Sequence, residues 1–299
     1  MRAAAIFLTG LSMLYAPPKV DAAGACSVPA LLTMPPCERY LIPTDRELLQ
    51  VRKLFTVMLS NANYGEALPK QWASLGFDWL STELDGDVIV VLKEQPSRCE
   101  GRGLFMFRTA GGNRTLLQIP HRFHDRHTAE IGLRLMRLGD FRGLAWNTVP
   151  RHFEGIDAEG VSADLAHSDK SYFAVLAEAA ALISADSQVV QLHGYDAKKR
   201  RTESGRNSDV IISNGTRYPS RSVHELNTCL DSVFNGPVRL FPRDVRELGA
   251  TTNQVGSRLR HYTHQGFVHI ELNAKARKEL LTNDTLLAGM VSCIPGAGR

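Results

Sequence analysis

Five potential metal ligands crowd the ten residues that begin just after Pro120: His121, His124, Asp125, His127 and Glu130. A sixth, His193, closes a separate apolar run, Val189-Val190-Gln191-Leu192, and is followed by Gly194. Imidazole and carboxylate are ordinary donors to zinc, and two imidazoles plus one carboxylate leave a fourth tetrahedral position for water, the pattern of a catalytic site. Such an ion lowers the pKa of water and polarises a substrate carbonyl. The preferred ligands are His121, which directly terminates an apolar run, Glu130 in the first turn of the helix that follows, and His193. Asp125 and His127 stay open as alternates or as groups that support the ligands, since His127 and Glu130 stand at a spacing that puts both on one side of a helical turn.

A general base is expected at Glu271. In Phe267-Val268-His269-Ile270-Glu271-Leu272, strand alternation puts Phe267, His269 and Glu271 on one face. A carboxylate near the end of a buried strand needs a partner. Beside a hydrolytic ion it takes a proton from water and passes it to a leaving amine. The plainer alternative is a salt bridge to Arg258, Arg260 or Lys275. Asn147, Arg151 and His167, all at or beyond one strand end, are candidates for binding an amide or carboxylate of a substrate. Asn253, Arg258 and Arg260 are further candidates.

These residues need elements to hold them. Thr44-Asp45 caps an expected helix over 45–59, with Leu48, Val51, Phe55 and Met58 at helical spacing. Two β-branched or aromatic runs, 87–92 and 103–108, read as strands. From residue 115 strands (115–120, 143–148, 188–193, 209–213, 266–272) alternate with helices (129–138, 171–184, 221–234, 273–281). This alternation predicts an α/β fold with a mainly parallel sheet between two helical layers. In such sheets ligands bind beyond the carboxyl ends of the strands, where His121 and His193 fall. The loops near 150–163 and 195–208 are long and polar, and Lys198-Lys199-Arg200-Arg201 is expected on a solvated rim. No linker divides the chain after residue 25, so 26–299 reads as one hydrolase-type domain whose first part, 26–110, is a helix and strand extension.

Composition fits this frame. With 299 residues, 43% hydrophobic and 22% charged, the chain can bury a large core, and 35 basic against 31 acidic residues is too even for a nucleic-acid binder. Arg2, the apolar run to Ala16 and Ala23-Gly24-Ala25 follow the order of an export signal, so residues 1–25 are expected to be removed and the rest placed in a periplasmic or extracellular setting. Membrane attachment would then require a lipid on Cys26, for which the usual large aliphatic residue three positions earlier is missing. Export permits disulfides, and five cysteines leave one unpaired within the chain. Cys26 with Cys37 would close the shortest loop, but spacing does not decide the pairing. No CxxC is present, which argues against a cysteine zinc site. No GxSxG elbow is present either, which argues against a serine hydrolase.

The order His, Glu at a helix start, His after a buried strand and Glu on a late strand resembles the zinc-dependent amidohydrolases of the phosphorylase/hydrolase-like fold. It is similar in plan to N-acetylmuramoyl-L-alanine amidases, N-formylglutamate amidohydrolases and zinc carboxypeptidases. The resemblance spans roughly residues 85–282 and implies His121, Glu130 and His193 as zinc ligands, Glu271 as catalytic glutamate, and a mixed sheet of six to eight strands. It departs from the cell-wall amidases in lacking their His-Gly-Gly segment. The first His–Glu interval is shorter than theirs and longer than the HxxE of carboxypeptidases. The implied activity is hydrolysis of an amide bond, with a cell-wall peptide or an N-acyl amino acid or peptide as substrate. The alternative is a non-catalytic envelope binding protein on the same scaffold.

Overall fold

The computed structural model describes residues 26–60, 64–153 and 162–297; the leader expected over 1–25 lies outside them. The chain begins with α1 (Val28–Leu32), α2 (Asp45–Leu59) and α3 (Ala67–Ser74), followed by β1 (Phe77–Leu84), β2 (Asp87–Glu94), β3 (Leu104–Arg108) and β4 (Thr115–Ile119). Alternation then sets in with α4 (Thr128–Leu138), β5 (Gly143–Trp146), α5 (Tyr172–Ile183), β6 (Gln188–Gly194), the short α6 (Glu203–Arg206) and β7 (Val210–Ser213). The remainder is α7 (Arg221–Val233), β8 (Val238–Leu240), α8 (Gln254–His261), β9 (Phe267–Leu272), α9 (Ala274–Thr282) and α10 (Asp284–Cys293).

The nine strands among the described residues form one mixed sheet in the order β1-β2-β3-β5-β4-β6-β9-β7-β8. Its centre, β5-β4-β6-β9, is parallel, while β1, β2 and β3 extend it as antiparallel neighbours and β7 runs antiparallel to β9. This is the expected three-layer α/β arrangement, with one strand more than the upper expectation and a larger antiparallel share. The unforeseen β1 is joined to β2 through Asp85 and Gly86, both at positive φ (50° and 89°). That is the two-residue turn an Asp-Gly pair favours between hairpin strands, so the signal was present in the sequence.

Alternation sorts the strand side chains between two cores. Leu117 and Ile119 of β4, Val190 and Leu192 of β6, and Val268, Ile270 and Leu272 of β9 pack on one side with Ile131, Leu135, Val223, Leu226, Leu280 and Leu287 from α4, α7, α9 and α10. The opposite side carries Leu116, Val189 and Phe267 against Phe55, Tyr172, Phe173, Val255 and Leu259 from α2, α5 and α8. Toward the carboxyl ends of β4, β6 and β9 this second face turns polar, with Gln118, Gln191, His193, His269 and Glu271 in place of apolar residues. Register makes the polar patch continuous: Gln118 stands opposite Gln191, Gln191 opposite His269, and His193 opposite Glu271.

The helices on that face are tied by a buried acid. Glu178 of α5 accepts from Arg52 of α2 (2.5 Å), and from Arg258 (2.7 Å) of α8 and Tyr262 (2.5 Å) just beyond it. Two disulfides, Cys37–Cys99 and Cys229–Cys293, close loops of similar length and leave Cys26 free, so the short Cys26–Cys37 loop does not form. The second bridge joins α7 to α10. No helix among the described residues is long and apolar enough to cross a membrane.

Two stability predictions follow from these ties. Replacing Cys229 and Cys293 together by Ser should cost about 2–4 kcal/mol in denaturant unfolding, the usual value for a loop of this order. Glu178→Gln should cost about 2–3 kcal/mol near neutral pH, because two guanidinium groups lose their counter-charge but are a quarter to a third exposed. Burial alone would raise the Glu178 pKa; hydrogen bonds from Tyr262, Arg52 and Arg258 outweigh it and lower the value in the folded state. The contribution is therefore complete above the unfolded carboxylate pKa of about 4.3 and disappears as pH falls through the lower folded value. The gap between wild type and variant should be constant above about pH 5.5 and close in acid.

Candidate metal centre

His121 lies two residues past the end of β4, where the chain makes a turn: Asp125 N donates to His121 O at 2.8 Å and His124 N to the same oxygen at 2.9 Å. That turn folds Asp125 back beneath His121. Residue His127 then takes a left-handed conformation (φ 72°) that reverses the chain into α4. His193 arrives from the next parallel strand, and its ring centroid sits 4.8 Å from that of His121.

Asp125 is shared by the two imidazoles. Its Oδ2 is 3.5 Å from His121 Nδ1 and 3.6 Å from His193 Nδ1, and all three residues are buried. Burial works against the Asp125 carboxylate, but hydrogen bonding to the two histidines outweighs it and holds the carboxyl well below its ordinary range. His121 is pulled two ways: burial lowers its pKa, and Asp125 and Asp164 on either side more than offset that and raise it. For His193 burial prevails and lowers the pKa.

On the far side of His121, Nε2 lies 2.7 Å from Asp164 Oδ1. Asp164 also accepts from Ala166 N and pairs through Oδ2 with Arg151 (3.1 Å) and His167 (3.2 Å). His121 thus turns Nε2 to Asp164 and Nδ1 to Asp125. A carboxylate that orients a histidine this way raises its basicity as a ligand. The sequence pairs Asp164 with His167 near the expected substrate pocket but not with His121, from which it is separated by 43 residues of chain.

Glu271 and His269 complete the floor. The two rings of His193 and His269 are 4.5 Å apart, and His269 Nε2 is 3.7 Å from Glu271 Oε1. Both residues are buried, yet His269 Nδ1 and Glu271 Oε2 have no hydrogen-bond partner. Burial, reinforced by the charge of Asp125, pushes the Glu271 pKa up to about 8; burial likewise drives His269 well below its ordinary value, so it is neutral. None of the cations expected as a plain salt-bridge partner neutralises Glu271: Lys275 pairs with Asp209 and Arg258 with Glu178, and Arg260 makes no ion pair with it.

Three sequence expectations need correction. Glu130 is not brought to His121 and His193; its carboxylate meets His127 Nδ1 at 2.6 Å, with both side chains more than a third exposed. The reason is helical phase: α4 turns Glu130 toward Arg122 and Phe123, away from the strand ends, and the tight 121–125 turn brings the acid four residues from His121 inward instead. His127 goes with Glu130 and is likewise outside the group. Asn147 is fully buried with its amide consumed by backbone, accepting from Arg122 N (2.7 Å) and donating to Val149 O (2.6 Å), so it braces the histidine loop and faces no substrate space. Arg151 and His167 do line the pocket above the cluster.

The pocket encloses about 560 Å³ over His121, Asp125, His193 and Glu271. Lys199 and Arg200, expected on a solvated rim, form part of its wall. The donor set suits a small divalent ion. Ligand atoms of His121, Asp125 and His193 lie within 4.8 Å of one another, and the carboxylate-to-imidazole spacings of 3.5 and 3.6 Å approach the separation of about 3.4 Å between ligand atoms of a tetrahedral zinc. Glu271, whose buried Oε2 has no hydrogen-bond partner, lines the same pocket. A second trio, Cys37, Glu94 and Cys99, is spoken for: its cysteines are disulfide-bonded and Glu94 accepts from the backbone N–H groups of Glu100, Arg102 and Gly103.

No family model matches the chain, and no curated protein does. Solved structures it is similar to include a bacteriophage poly-gamma-glutamate hydrolase (13% identity, 62% of this chain and 84% of the other, TM-score 0.40). An aspartoacylase family protein from Mesorhizobium loti matches at 13% identity over 70% of this chain and 68% of the other, with a TM-score of 0.38. A zinc-free form of YndL matches at 17% identity over 56% and 70%, with a TM-score of 0.36.

Proposed function

We propose that the protein is a zinc-dependent hydrolase that cleaves an amide bond, with His121, Asp125 and His193 as metal ligands and Glu271 as general base. The observation that carries this reading is the convergence of two imidazoles on one buried carboxylate at adjacent parallel strand ends, beside a second buried carboxylate whose Oε2 has no hydrogen-bond partner. Relative to the resemblance, Asp125 replaces Glu130 as the acidic ligand. When bound, Zn2+ would lower the pKa of water, polarise the scissile carbonyl and, by its charge, favour the ionised form of Glu271.

The chain's own groups supply the rest. Asp164 holds the His121 ring with Nδ1 turned to the cluster. Glu271, on the strand beside His193, takes a proton from the attacking water through Oε2 and delivers it to the leaving amine. The neutral His269 behind it adds no charge to that wall. Arg151, Lys199 and Arg200 around the mouth favour a substrate that carries a carboxylate, which fits an N-acyl amino acid or an acidic cell-wall peptide. Export is proposed on two grounds: the N-terminal signal pattern, and two disulfides, which persist in oxidising compartments.

Purified protein should take up one equivalent of Zn2+ by elemental analysis, and His193→Ala should abolish stoichiometric uptake. Protein that gains no divalent ion on incubation would end this reading. Asp164→Asn, which keeps the shape but weakens the hold on His121, should lower zinc affinity about 10–100-fold. Glu271→Gln should retain zinc while losing about 100- to 10,000-fold in kcat on an N-acyl amino acid panel. An unchanged kcat would remove Glu271 from the mechanism, and no turnover by the zinc-loaded wild type would favour a binding protein.

A further inference from the structure

A chain of amides runs beneath the cluster, and both of its ends are set by backbone. At one end Gln118 Nε2 donates to Phe173 O of α5 at 2.9 Å. A carbonyl only accepts, so the Gln118 amide has one orientation and its Oε1 points the other way. There it accepts from Gln191 Nε2 at 2.9 Å. That orients Gln191 in turn, so its Oε1 accepts from Asn253 Nδ2 at 2.7 Å. At the far end Asn253 Oδ1 accepts from Gly256 N in the first turn of α8, at 3.1 Å, which requires the same polarity from the opposite direction. Each amide is thus oriented from two sides, and all three residues are buried.

His193 Nε2 sits 3.4 Å from that same Gln191 Oε1. Gln191 Oε1 can only accept, so this contact draws the hydrogen to Nε2, against the pull of the Asp125 carboxylate 3.6 Å from Nδ1. We propose that Gln118, Gln191 and Asn253 are positioning residues that lock His193 as the Nε2–H tautomer and so present its Nδ1 as a ligand. His121 reaches the same state through the charged Asp164; His193 reaches it through a neutral relay whose polarity is written by the helices α5 and α8. A neutral relay leaves the local negative charge at Asp125, between the two rings, and adds none behind His193. The proposal deepens the zinc reading and rests on it for its consequence, but its structural half concerns the metal-free protein.

The test is therefore a tautomer measurement on metal-free protein labelled with 15N at histidine. Two-bond nitrogen–proton correlations should report His193, assigned by its loss in His193→Ala, with a protonated Nε2 and a bare Nδ1. Gln191→Leu removes the acceptor and should give mixed tautomers and zinc binding weakened about 10–100-fold. Gln191→Glu keeps an acceptor at the same place and should keep the Nε2–H tautomer, which a role limited to packing would not predict. Gln118→Leu leaves the Gln191 amide oriented by Asn253 alone and should shift the tautomer in the same direction as Gln191→Leu but by less. A wild-type His193 protonated at Nδ1, or a Gln191→Leu protein with unchanged tautomer, overturns the proposal without any metal being added. A protein with the Nε2–H tautomer that takes up no zinc instead supports the relay and refutes the zinc reading.

Discussion

A single carboxylate, Asp125, stands between two imidazoles in a place closed to solvent, and the surrounding structure is arranged to make that tolerable. A buried carboxylate without compensation costs several kcal/mol or takes up a proton. Here two rings lie on either side of it, and the tight turn after β4 delivers it from the same loop as one of them. Everything else at the site is a way of controlling those two rings. One is gripped from behind by Asp164, the other stands over a row of neutral amides, and Glu271 waits across the strand register from His193.

Parallel pairing of β4, β6 and β9 is what permits this. Parallel neighbours end on the same side, so residues at strand termini that are far apart in the chain come within a few ångströms of one another. Alternation does the rest, because a shift of one residue in β6 would send Gln191 and His193 into the apolar core under α4 and bring Val190 and Leu192 to the pocket. The apolar residues on the α4 side are thus as much a part of the site as its ligands. They make the alternative register costly.

The polar face is possible because it is finished by backbone. A buried polar network is stable when every member is satisfied. The amide row ends on a helix carbonyl at one side and a helix N–H at the other, and Glu178 ties together the helices that supply them. His269 Nδ1 and Glu271 Oε2 are left without a hydrogen-bond partner at the pocket floor, and among the described residues Glu271 is the buried carboxylate with an unpartnered oxygen. Unpaired groups kept beside a cavity are where chemistry is to be sought.

Sequence pattern alone determined the layered α/β class, most of the helices and central strands, and the position of His121, His193 and Glu271 at or near strand ends. Those follow from local rules, since the period of two or 3.6 and the position of a strand terminus are properties of a few consecutive residues. It placed Asp125 among the alternatives and preferred Glu130, because an acid in the first turn of the next helix looks like a ligand until the start of α4 is known to within a residue. A change of that size rotates a side chain by about 100° on a helix, which is enough to move a carboxylate from the pocket to the surface. Asp164, the Gln118–Gln191–Asn253 row and the two disulfide pairings were decided only by tertiary structure. Each joins residues tens of positions apart, and no local periodicity records which strands become neighbours.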